Sequence, residues 1–224
     1  MKIKAAVFDM DGTIVNSLMF WNHLWKRIGE RYMGDASFQP CEEVERAVRT
    51  MIFADAMLYF KEYYQISVEA DEFLRFTTDG TLDFYRQIAK PKEGARELLQ
   101  ALKQQNAKLC LASATAKDII LFALDYYNLR EYFDFVISCA DIGVGKERPD
   151  IYLLAQELLG GERDAICVFE DSYVALETAK KAGFLTVGIY DRYNPEQGRV
   201  RSASDLYLSE GESLSALVGQ VTVE

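Results

Sequence analysis

Ala5-Ala6-Val7-Phe8-Asp9-Met10-Asp11-Gly12-Thr13 is the stretch that decides how the chain is read. An apolar run of strand character ends in two aspartates, then Gly-Thr. In an open α/β sheet, ligands bind beyond the carboxyl ends of the strands. The run therefore predicts Asp9 at a strand tip and Asp11 on the first turn of the loop. Gly12 lets the backbone bend sharply and come close to a ligand. Two carboxylates this close repel each other unless a cation lies between them or one keeps its proton. Both conditions suit phosphoryl transfer through an aspartyl-phosphate, with one Asp as nucleophile and the other as acid/base. Asp and Gly are also ordinary turn residues. D-x-D-G alone is equally well a solvated turn, so the rest of the chain has to supply the other parts.

At 224 residues the chain has room for one large domain or two small ones, and half its residues are hydrophobic, enough for a core. The net charge of −10 argues against nucleic acid or an anionic membrane as the main partner. It also disfavours an anionic substrate, so a site for one must create its own positive field from a metal ion and a lysine. Cys41, Cys110, Cys139 and Cys167 form no C-x-x-C; reduced, buried thiols in a cytoplasmic protein are expected. Lys2 and Lys4 lead directly into a strand, with no signal-peptide pattern. No apolar run approaches the ~20 residues of a membrane span. His23 is the only histidine, which excludes a histidine-rich metal site and a Ser-His-Asp triad through another His.

Residues 3–8 read as the first strand. Leu18, Trp21, Leu24, Trp25 and Ile28 then recur at helical spacing. Helical character continues to about residue 88, through stretches at 41–64 and 68–88, broken at Gly34-Asp35 and Gln39-Pro40. Residues 16–90 are expected to be a helical insert, with Met19, Trp21, Trp25 and Met33 in its core. Beyond Pro91 the texture becomes βα repeats. Strands are expected near 108–112, 133–138, 165–169, 186–190 and 205–208. Helices are expected near 95–105, 116–127, 149–159 and 173–182, and a loop over 141–146. Alternation of this kind predicts a parallel sheet with helices on both faces.

Four strand ends then present polar groups: Asp9 and Asp11, Ser113, Lys146 in the loop after the third strand, and Glu170 with Asp171. Each also has a bland reading. Ser113 and Thr115 can simply cap the next helix, or a hydroxyl and free N–H groups at a helix N-terminus can cradle a phosphate. Lys146 can be one more solvated lysine, but it stands between a Gly-rich loop and a helix start, in Gly143-Val144-Gly145-Lys146-Glu147-Arg148-Pro149-Asp150. Glu170-Asp171 can be a surface acidic turn. Equally, hard oxygen ligands are what Mg²⁺ requires.

Taken together, these stretches resemble motifs I to IV of the haloacid dehalogenase superfamily, over the whole chain and in the family's order. The apolar strand with Asp-x-Asp-Gly-Thr matches motif I, Ser113 motif II, G-K-x-x-P-D motif III, and Glu170-Asp171-Ser172 motif IV. The chain is most similar to the β-phosphoglucomutase-like subfamily. The resemblance implies a doubly wound, Rossmann-like α/β core (residues 1–15 and 91–224) with a small all-α cap domain (16–90). It implies a Mg²⁺-dependent phosphatase for a small phosphorylated metabolite such as a sugar phosphate. Asp9 would be the nucleophile and a metal ligand. Asp11 would be the acid/base, ligating metal through its backbone carbonyl. Glu170 and Asp171 would complete the metal site. Met10, Thr13, Ser113, Ala114 and Lys146 would surround the phosphoryl group, Lys146 also counting as catalytic. A monomer or weak dimer, with no nucleic-acid or membrane partner, is the expected assembly.

The match departs from the mutases in the cap. Trp21 stands where they carry a histidine before the helical Trp25, and Arg49-Thr50-Met51-Ile52-Phe53 stands where an arginine grips a second phosphate. Asn16 replaces an acidic hinge residue. These differences favour a hydrolase over the alternative, a phosphosugar mutase, and leave Trp21, Arg49 and Phe53 as candidates for substrate contact. A non-enzyme alternative is a phosphoryl-accepting signalling domain of the receiver type. Such domains are about half this length, without a helical insert after the first strand.

Overall fold

The computed structural model describes residues 1–48, 51 and 53–224, so Arg49 lies outside the described residues. The chain divides into two compact units, Met1–Leu18 with Lys90–Glu224, and Met19–Ala89.

The first unit opens with β1 (Lys2–Ile3) and β2 (Ala5–Phe8), followed after the Asp9–Thr13 loop by β3 (Val15–Asn16). The second unit holds α1 (Phe20–Ile28), α2 (Glu42–Val48), α3 (Phe53–Tyr63) and α4 (Ala70–Gln87). The chain re-enters the first unit at β4 (Lys90–Pro91), which pairs antiparallel with β3, Asn16 opposite Lys90. Next come α5 (Ala95–Gln104), β5 (Lys108–Ser113), α6 (Lys117–Tyr126) and β6 (Phe135–Ser138). They are followed by α7 (Cys139–Ile142), α8 (Asp150–Leu159), β7 (Ile166–Glu170), α9 (Tyr173–Lys181) and β8 (Leu185–Ile189). The chain closes with α10 (Gln197–Ala203), β9 (Leu206–Leu208) and β10 (Thr222–Val223), the last paired with β1.

Six strands form one parallel sheet in the order β6-β5-β2-β7-β8-β9. Within this sheet β2 comes first along the chain; β5 and β6 fill one side of it, and β7, β8 and β9 then build the other. That is the doubly wound α/β plan, and its direction switches beside β2. Central strands covered on both faces read as unbroken apolar runs. Accordingly all of Ala5–Phe8 and Ile166–Glu170 is buried. Among the described residues, no helix is long and apolar enough to cross a membrane.

Within the helical unit, Leu24, Trp25, Ile28, Val44, Met57, Phe60 and Phe73 form a buried core. Trp25 stacks on Phe60 at 4.8 Å between ring centroids. Gly80 sits inside α4 because a Cβ there would lie 2.9 Å from Arg27 Nε. Trp21 and Met33 are half-buried against this core rather than within it.

Three expectations need correction. The 141–146 segment is not wholly loop: α7 occupies its start, nucleated by a capping box between Ser138 and Asp141. The paired ribbon of β3 and β4 was not expected. All four cysteines are free, but Cys41 is exposed; only Cys110, Cys139 and Cys167 are buried.

Candidate active site

Register assembles the site. Phe8 pairs with Phe169 across β2 and β7, and their rings stack at 4.2 Å. The next residues, Asp9 and Glu170, therefore leave the sheet side by side, with the Asp9 N–H donating to the Phe169 carbonyl at 3.0 Å. On the other flank, Phe8 pairs with Leu111, so β5 ends two residues later at Ser113.

Asp9, Glu170 and Asp171 converge, with one carboxylate oxygen of each within 4.8 Å of the others, and all three are buried. Lys146 bridges two of them: its Nζ donates to Asp9 Oδ1 and, at 2.6 Å, to Glu170 Oε1. The hydroxyl of buried Tyr152 donates to the same Glu170 oxygen at 3.4 Å. Glu170 Oε2 accepts the N–H groups of Asp171 and Ser172, both at 3.1 Å. Thr13 is fully buried and donates to Asp171 Oδ1 at 3.2 Å, behind the acidic group. Gly12, at φ +83°, leaves space for Asp171: a Cβ there would fall 2.5 Å from Asp171 Oδ2.

The charges do not balance. Three buried carboxylates face one bridging ammonium. Burial pushes the Asp9 carboxyl up to about 8; Lys146 opposes this, while Glu170 and Asp11 add to it. Burial, then Glu170 and Asp9, likewise raise Asp171 well above its ordinary range. The Lys146 ammonium holds its proton well above its ordinary range: burial works against it, and the Asp9 and Glu170 carboxylates outweigh that. Hard oxygen donors converging in one buried group are a fitting set for a divalent metal ion.

Asp11 is handled differently. Its Oδ1 accepts the Ser17 hydroxyl and its Oδ2 the Thr115 hydroxyl, both at 2.7 Å. Two neutral donors thus hold this carboxylate, outside the group of three. Thr115 also donates its N–H to Ser113 Oγ at 3.1 Å. So Ser113 and Thr115 do cap locally, and Thr115 additionally ties that turn to Asp11. Ala114 between them is exposed. Met10 is buried, and its carbonyl closes the loop by accepting from Ile14 and Val15.

In the helical unit, the rings of Trp21 and Phe53 lie 6.4 Å apart, and both pack against Phe20. Four contributors near the site were not singled out from the sequence: Ser17, Tyr152, Lys92 and Asn194. Tyr152 carried a signal, as the one hydroxyl among the buried apolar residues of α8, Ile151, Ala155 and Leu159. Ser17, Lys92 and Asn194 carried none.

A family model for haloacid dehalogenase-like hydrolases matches residues 3–183. The chain is 26% identical over 216 residues to a phosphorylated carbohydrates phosphatase of Thermotoga maritima, covering 96% of this chain and 98% of that one. It is 24% identical over 217 residues to the pyrophosphatase PpaX of Listeria monocytogenes, covering 97% of each. A solved β-phosphoglucomutase from Clostridium difficile shares the fold at a TM-score of 0.68 and 19% identity, over 96% of this chain and 93% of that one. The four motif positions, the parallel sheet that carries them and these relationships agree: the chain belongs to the haloacid dehalogenase-like hydrolases and is an enzyme of their phosphatase kind.

Proposed function

We propose that this protein is a Mg²⁺-dependent phosphatase that hydrolyses a small phosphorylated metabolite through an aspartyl-phosphate on Asp9. The reading is carried by one observation: Asp9 lies in a buried acidic group against Lys146, while Asp11, two residues on, is held apart by two hydroxyls. Two carboxylates on one loop in two environments suit two roles.

Asp9, Glu170 and Asp171, with the Asp11 backbone carbonyl, would hold Mg²⁺, which supplies positive charge against the phosphoryl oxygens. Lys146 adds a second positive charge at Asp9, so that a carboxylate can approach an anionic ester. An Asp9 oxygen attacks phosphorus, the ester P–O bond breaks, and the departing oxygen takes a proton from Asp11. Asp11 then removes a proton from water; the water oxygen attacks phosphorus and the Asp9–phosphorus bond breaks, releasing phosphate. The N–H groups that follow Asp9 and Ser113 would cradle the phosphoryl group.

These core groups meet only the phosphoryl end of a substrate. We assign choice of the leaving group to the helical segment 16–90, with Trp21 and Phe53 as candidate contacts; Arg49 is a third, outside the described residues. An aromatic ring offers a second phosphate no charge, which favours hydrolysis over mutase chemistry. Family membership sets aside the receiver-type reading. The net charge of −10 and the three buried free thiols support a cytoplasmic monomer or weak dimer without nucleic-acid or membrane partners.

The test is phosphate release from a panel of sugar phosphates and pyrophosphate, with Mg²⁺ and with excess EDTA, alongside β-glucose 1-phosphate plus a bisphosphate primer. Metal-dependent release is expected. Full activity in EDTA, or isomerisation faster than release, would overturn the reading.

A further inference from the structure

Asp171 is held from behind. Its backbone carbonyl accepts Asn194 Nδ2 at 2.7 Å. Asn194 lies in the turn after β8, where its own N–H donates to the Asp191 carbonyl at 3.0 Å. The Asp191 carboxylate accepts the Tyr193 N–H at 2.9 Å and pairs with Lys92 Nζ at 3.0 Å. Lys92 also donates to the Tyr190 carbonyl at 2.7 Å, and its N–H donates to the Ile14 carbonyl at 2.8 Å. A continuous set of bonds therefore runs from the strand β4 exit, through the turn after β8, to Asp171.

The pair is out of place as a stabiliser. The Lys92 and Asp191 side chains are 11% and 4% exposed. Burying both charges costs about as much as their attraction returns, and a packed apolar pair would serve stability equally well. What an ion pair adds is direction. The turn 190–196 has no regular secondary structure to fix it, and Asn194 reaches Asp171 only while that turn keeps its shape.

We propose that Lys92, Asp191 and Asn194 are positioning residues that set the metal affinity of the acidic group by bracing Asp171, without touching metal or substrate. The proposal rests on the metal-binding reading above. Partners of metal ligands commonly govern affinity by 10- to 100-fold.

The experiment is calorimetric titration of Mg²⁺ into the full chain without substrate, joined to activity across a metal series. Two variants avoid stranding a buried charge: Asn194→Ala, and the double variant Lys92→Met with Asp191→Asn. Both are expected to weaken Mg²⁺ binding by about 10-fold or more, with kcat restored at saturating metal and substrate KM unchanged. Lys92→Arg, which keeps the pair, is expected to stay within about threefold of the unaltered protein. A merely structural role would lower the melting temperature and leave the metal dissociation constant unmoved; that result overturns the brace. If the unaltered protein takes up no Mg²⁺, the metal reading falls and the brace with it. If it binds Mg²⁺ and both variants match it, the brace alone is wrong.

Discussion

Replacing Gly12 by alanine should disable the site through the space behind Asp171. A Cβ at Gly12 would lie 2.5 Å from Asp171 Oδ2 and 2.6 Å from its Cγ. Ordinary contact for such a pair begins near ~3.4 Å, so the carboxylate must retreat by about 0.9 Å, beyond the ~0.5 Å that a working site tolerates. Thr13 holds Asp171 Oδ1 and Asn194 its backbone carbonyl, so retreat also loosens those bonds. Misplacement on the order of 1 Å costs on the order of 10²-fold in rate. The φ of +83° adds backbone strain of about 1–2 kcal/mol for alanine, or roughly 2–8 °C in melting temperature for a chain of this size. Gly211→Ala isolates that strain, because Gly211 has φ +80° with nothing within 4 Å of its Cβ position. Phosphate release at several Mg²⁺ concentrations and melting curves read the two effects separately. Gly211→Ala should lose stability and keep its activity, whereas Gly12→Ala should lose both. Gly12→Ala working within about threefold of the unaltered protein at low metal would refute the reasoning.

Asp9→Asn should abolish turnover, while Asp11→Asn should still accumulate phosphoenzyme, visible by mass spectrometry after a quench; near-normal turnover by Asp9→Asn would remove it as nucleophile. Lys146→Met strands Asp9 and Glu170 without their shared ammonium, and kcat should fall by at least about 10²-fold; an unchanged kcat would deny the lysine its role. The Asp9 carboxyl, raised from 3.8 to about 8 chiefly by burial, binds its proton more tightly folded than unfolded. Its contribution to stability is therefore full below about pH 4 and lost as pH rises through about 8. In EDTA, the unaltered protein should lose stability relative to Asp9→Asn between about pH 4 and 8 and level off above, measured by urea unfolding; parallel curves would contradict this. Exchange of segment 16–90 for that of a related phosphatase should reorder the substrate panel, and an unchanged ranking in a folded chimera would move specificity elsewhere.

The sheet was legible because its central strands are unbroken apolar runs that stop at an acid or a hydroxyl: Phe8 before Asp9, Ala112 before Ser113, Phe169 before Glu170. Nothing so marks β3 and β4, two residues each, too short for any alternation to register. The helix α7 had its signal in Ser138 and Asp141, spaced as a capping box, but four residues give no period. The acidic group could be read from strand ends alone, since each member terminates or follows a strand. The support around it could not. Tyr152 and Asn194 reach Glu170 and the Asp171 carbonyl across separations of 18 and 23 residues that only the folded sheet closes, and Ser17 meets Asp11 through the irregular local turn after β2. Asp11 shows a further gap. Repulsion between neighbouring carboxylates could be read from the sequence, but the Ser17 and Thr115 hydroxyls that meet Asp11 could not.

The sheet order also has a consequence for synthesis. β2 lies at the centre, yet it is made first, and its partners β5 and β7 arrive at residues 108 and 166. About 160 residues separate Phe8 from Phe169, so at roughly 5–20 residues per second the ribosome delivers β7 some 8–30 s after β2. Ala5–Phe8 presents two unpaired edges until β5 arrives and one until β7 does, with four apolar side chains, the state most exposed to mispairing with another chain. Slowed elongation between residues 20 and 166 should therefore lower soluble yield more than the same slowing after residue 170.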